Sequence, residues 1–163
     1  MATYDLCLMP QDMLFMPTSQ AINNARRSLS RYFEWNEGIK VRKESTPFFV
    51  SAWYDCEQYI CPCCGKTVTY SFAEENNIDW FGFLTEAAKA SDARTHQVKL
   101  PCCGAEAPLT ELNFVSEQGH KRSGIACLQI SVKDIESGLT TRQFEQLEKT
   151  LGCKLNCFIE IGG

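Results

Sequence analysis

Four of the ten cysteines in this 163-residue chain lie in two identical tetrapeptides, Pro62-Cys63-Cys64-Gly65 and Pro101-Cys102-Cys103-Gly104. Cys61 precedes the first copy and creates a C-x-x-C spacing, with which two thiolates of one tight turn can grip a single metal ion. Leu100 precedes the second, which therefore lacks that outer cysteine. Aligning the two turns sets Cys103 against Cys64 and Leu100 against Cys61, so Cys61, Cys64 and Cys103 are the first three ligands expected. Cys102 is the nearest fourth, although adjacent cysteines reach one ion only through an awkward turn. Cys63, Cys56 and His96 are the other candidates. Four Cys or His ligands make a structural zinc site, whereas water in an open fourth position would make a catalytic one.

The same residues admit other chemistries. A redox C-x-x-C pair belongs at a helix N-terminus, where the thiol pKa falls, but Gly65-Lys66-Thr67-Val68-Thr69-Tyr70 reads as a strand. Gly65-Lys66-Thr67 matches the end of a phosphate-binding loop, yet the glycine required five residues earlier is Ile60. A cysteine nucleophile needs a base, and neither His96 nor His120 sits in a pattern that would orient it. Cys7, Cys127, Cys153 and Cys157 fall in or beside expected strands and read as small apolar packing residues.

Between its strand-like flanks, the turn from Cys61 to Gly65 resembles a zinc-ribbon knuckle. The resemblance covers those five residues. It implies a structural Zn2+, with the glycine allowing the backbone to fold back so that its N–H groups meet thiolate sulfur.

The elements that would carry these turns follow from hydrophobic period. Tyr4, Leu6 and Leu8 alternate with Asp5 and Cys7 as a strand ended by Pro10. Thr18 or Ser19 then caps a helix through Ile22, Ala25, Leu29, Tyr32 and Phe33, with Gly38 as its stop. Residues 39–41 and 48–54 read as one bent strand or a hairpin, and Pro47 argues against a central ladder position. Near the C-terminus, Ala126, Leu128, Ile130 and Val132 alternate as one strand face. Thr140 and Gln143 form a capping box before a helix through Phe144, Leu147 and Leu151, which Gly152 closes, and residues 154–161 form a last strand.

The outer parts thus read βαβ and βαβ, giving an α+β fold with the element order of a ferredoxin-like sandwich. Its first half is 1–54 and its second 120–163, in one compact domain. Residues 55–119 form a zinc-ribbon-like insertion with one helix from Asn76 or Asn77 to about Asp92. Its two turns are expected to be hairpin tips, flanked by 58–60 and 67–70, and by 95–100 and 109–114.

Composition narrows the function. Hydrophobic residues make up 44% of the chain, enough for a core without metal, and the net charge of −4 provides no global cationic field for nucleic acid or acidic membrane. No signal peptide or membrane span is evident, so the chain reads as cytoplasmic, where ten cysteines imply metal binding or burial instead of disulfides. Two cationic stretches, Arg26-Arg27 with Arg31 and His120-Lys121-Arg122, read as solvated surfaces able to touch phosphate. These features favour a non-catalytic protein-interaction domain with a basic partner. By analogy of charge and size it suits an immunity protein that neutralises a basic bacterial toxin. A nucleic-acid-associated zinc-ribbon regulator and a metal- or thiol-dependent enzyme are the alternatives.

Overall fold

The computed structural model describes residues 3–34, 37–50, 57–70, 97–100, 102–108, 111–115, 124–135 and 137–162. In chain order these form β1 (Thr3–Pro10), α1 (Ser19–Tyr32), β2 (Ile39–Val50), β3 (Glu57–Ile60), β4 (Thr67–Tyr70), β5 (Gln97–Lys99), β6 (Glu106–Pro108), β7 (Asn113–Val115), β8 (Gly124–Val132), α2 (Thr141–Leu151) and β9 (Leu155–Gly162). The expected helix around residues 76–92 lies outside the described residues.

The outer elements build an antiparallel four-stranded sheet of order β2-β8-β1-β9. Alternation along β1 sends Leu6 and Leu8 to one side and Cys7 and Met9 to the other. On the first side they meet Leu128, Ile130 and Val132 of β8 and the inner stripes of both helices, Ile22, Ala25 and Leu29 of α1 and Leu147 and Leu151 of α2. Cys7 and Met9 join Phe48, Ala126 and Phe158 in a second buried cluster. Ala126 therefore does not share a face with Leu128, contrary to simple alternation. The β2–β8 register shifts between Lys43 and Phe48, and the Cys127 N–H donates to the Met13 carbonyl (3.1 Å), so the ladder is interrupted where the side-chain parity changes. Pro47 falls at this irregularity on an edge strand, where its missing N–H breaks no central ladder.

The helix boundaries follow their caps. Thr18 accepts a hydrogen bond from the Ala21 N–H, and Thr140 and Gln143 form the reciprocal capping box. Gly152, at φ 75°, closes α2 in the left-handed conformation that glycine adopts without steric cost. Gly38 does not stop α1. That helix ends at Tyr32 with Phe33 as its C-cap and Glu34 at φ 53°, while the Gly38 carbonyl accepts from Lys133 N–H beside the β2–β8 pair.

Among the described residues between β2 and β8 are two smaller sheets, a three-stranded β4-β3-β7 and a two-stranded β5-β6. The first Pro-Cys-Cys-Gly turn joins β3 to β4, and the second joins β5 to β6. The return strand of the second hairpin is Glu106–Pro108, ahead of the expected 109–114, because pairing resumes directly after Gly104 and Ala105. Residues 113–115 instead pair with β3.

Candidate metal centre

The two turns share one backbone design. In the first, Gly65 N–H donates to the Cys61 carbonyl (3.0 Å) and Cys61 N–H to the Lys66 carbonyl (2.9 Å). In the second, Gly104 N–H donates to the Leu100 carbonyl and Leu100 N–H to the Ala105 carbonyl, both at 2.8 Å. Gly65 and Gly104 have φ 74° and 70°, a left-handed conformation that would strain a residue with a Cβ. Position for position, Leu100 occupies the place of Cys61.

These turns bring Cys61, Cys64, Cys102 and Cys103 together, with all four sulfurs within 4.8 Å of one another. The Cys61–Cys103 separation is 3.8 Å and the Cys64–Cys102 separation 3.7 Å. Both are far beyond the about 2.05 Å of a disulfide. They agree with a tetrahedral tetrathiolate centre, in which bonds of about 2.3 Å set neighbouring sulfurs about 3.8 Å apart. The cluster is therefore able to hold a metal ion and is compatible with a zinc knuckle.

Each turn contributes a different pair. The first supplies its outer cysteine and the one three residues on; the second supplies two chain neighbours, Cys102 standing in for the sulfur that Leu100 lacks. Cys63 lies outside the cluster, exposed, with its thiol 4.0 Å from the Glu106 carbonyl. Cys56 and His96 lie outside the described residues.

Electrostatics distinguish the thiols. Burial opposes ionisation of Cys61, but the N–H groups of Cys64 and Cys63 each donate to its sulfur at 3.4 Å and prevail, lowering its pKa to about 6. The Cys63 thiol is raised, by loss of solvation and then by its charged neighbours Cys61 and Cys103. In the second turn Leu100 offers no sulfur to amide donors. The sequence points to Cys61, Cys64 and Cys103, with Cys102 as the nearest of several candidates for the fourth, but carries no signal that Leu100 is fully buried, with 0% exposure, as is Val98.

The remaining cysteines sit in or against the main sheet. Cys7 and Cys127 are buried, and Cys153 and Cys157 pack partly buried against the helix-covered core. Burial raises the pKa of all four, to about 11 for Cys153 and Cys157. Cys7 lies between Gln129, which donates to its sulfur at 3.3 Å, and Glu160, which accepts from it at 3.4 Å.

No helix among the described residues is long and apolar enough to cross a membrane. No protein-family model, curated protein or solved structure matches this chain.

Proposed function

We propose that the chain is a protein-interaction domain in which Cys61, Cys64, Cys102 and Cys103 hold one structural Zn2+. The carrying observation is the set of four sulfurs with two separations at the tetrahedral value, drawn from turns about 40 residues apart in sequence. Four thiolates would fill the coordination shell and leave no position for a reactive water, which favours a structural role over a catalytic one. Bound there, the ion would clamp the two hairpins into one rigid unit.

The strand order β9-β1-β8-β2, with antiparallel neighbours and both helices sharing one core, supports a ferredoxin-like sandwich. The chain order of the smaller sheets, all between β2 and β8, supports an insertion spanning about residues 55–119 between the halves 1–54 and 120–163. The net charge of −4 favours a basic protein as partner, and the neutralisation of a basic bacterial toxin by an immunity protein is the specific case that fits.

Metal analysis of reduced, purified protein should give about one zinc per chain, with retention lost on serine substitution of Cys61, Cys64, Cys102 or Cys103 but not of Cys63. Zinc near zero in the wild type would reject the metal reading. The interaction reading predicts copurification with a basic protein at low salt and release at high salt. Turnover of a small substrate without any captured partner would favour an enzyme instead.

A further inference from the structure

Away from the cysteines, a groove of about 670 Å³ runs along α1 to the end of α2, lined by Asn24, Arg27, Ser28, Ser30, Arg31 and Thr150. Asn24, Arg27, Ser28 and Arg31 form one helical stripe by their spacing of three, four and seven residues. Among the described residues no carboxylate lines the groove, and neither arginine has an ion-pair or hydrogen-bond partner.

Ser28 is the only buried polar residue among those described, at 8% exposure, and its hydroxyl has no hydrogen-bond partner among them. Because Ser28 also lines the groove, its hydroxyl is available to donate to or accept from a molecule bound there. Arg31 alone has a simpler role, since it lies in the last turn of α1 and complements the carbonyl end of the helix dipole. That role accounts for neither Arg27 one turn earlier nor the buried serine between them.

We propose that this groove binds the phosphate group of a small molecule, clamped by Arg27 and Arg31 and capped by the Ser28 hydroxyl. Planar guanidinium forks match the oxygens of phosphate, and hydroxyl and amide donors satisfy those that remain. The groove exceeds one phosphate in volume and its other donors and acceptors are Asn24, Ser30 and Thr150, which suits a phosphate monoester with a polar body. Among the described residues it has no aromatic platform on which a nucleobase could stack, and the net charge of −4 opposes a nucleic-acid polyanion.

The test is calorimetric titration of the full chain, at fixed ionic strength, with inorganic phosphate and separately with glycerol 3-phosphate. Saturable binding is expected for both, weakened at least about tenfold in an Arg27→Gln/Arg31→Gln variant. Tighter binding of glycerol 3-phosphate would assign a monoester, and equal binding would assign free phosphate. Ser28→Ala should weaken binding while leaving the thermal midpoint in phosphate-free buffer unchanged or higher, because no hydrogen bond to a described residue is lost and alanine favours the helix. A fold-only role for the serine would lower that midpoint and spare the affinity. Absence of saturation, wild-type affinity in the double arginine variant, or steeply salt-dependent DNA binding abolished by the same variant would each overturn the proposal.

Discussion

Cys63 and Cys64 are adjacent in sequence and unlike in circumstance: Cys64 joins the four-sulfur cluster, while the Cys63 thiol points instead toward the Glu106 carbonyl. Spacing made the first pair legible, because Cys61 and Cys64 stand at the separation that one knuckle requires. It left the fourth ligand open, since the direction of Cys102 depends on how the two turns face each other, a tertiary fact. At the opposite extreme of thiol chemistry are Cys153 and Cys157, whose pKa values burial pushes to about 11. Only the thiolate is nucleophilic, so both should resist iodoacetamide at pH 8 and react increasingly as pH approaches 11, measured by mass spectrometry of the labelled native protein. Because the folded state holds these thiols protonated, they contribute stability that is present below about pH 9 and lost as pH rises toward about 11. Urea unfolding at pH 8 and pH 10 should show that fall, reduced in a Cys153→Ala/Cys157→Ala variant.

At the scale of elements, local signals translated where a single turn of chain contained them. The capping box of α2 needs only Thr140 and Gln143, and it forms as the sequence implies, with bonds of 3.0 and 3.1 Å. Thr140→Ala should therefore cost about 1 kcal/mol in urea unfolding. Replacing Gly152 by Ala should cost about 1–2 kcal/mol for its left-handed backbone. Glu148 adds a tertiary tie that no local signal reveals: its carboxylate accepts from the Leu155 N–H at 2.9 Å and joins the end of α2 to the start of β9. Legibility failed where partners were distant. Strict alternation put Ala126 with Leu128, but the Cys127 N–H leaves the ladder for Met13, more than a hundred residues earlier in the chain. Similarly, 109–114 was readable as strand-like but as the return of the second hairpin, whereas residues 113–115 pair with β3, since strand pairing is chosen by what lies opposite.

Across the whole molecule, the large core and the cysteine cluster draw on separate resources. Leu6, Leu8, Leu29, Leu128, Ile130 and Leu147 close a core between sheet and helices without any metal ligand. A Leu128→Ala variant should lose about 2–5 kcal/mol of stability whether or not zinc is present. Chelation should raise amide exchange in β3 to β6 while β1, β8 and β9 keep their protection, followed by hydrogen-exchange mass spectrometry. Uniform loss of protection would mean that the fold depends on the metal as a single unit. Leu100 gives this division a direction in time. It is buried, as are Val98 and Ala107 of the same hairpin, while the first hairpin has at the equivalent place Cys61, also buried but able to serve as a ligand. If the four sulfurs hold an ion as proposed, the second hairpin keeps an apolar residue at its outer position when that ion is removed, so chelation should raise amide exchange in β3 and β4 before β5 and β6.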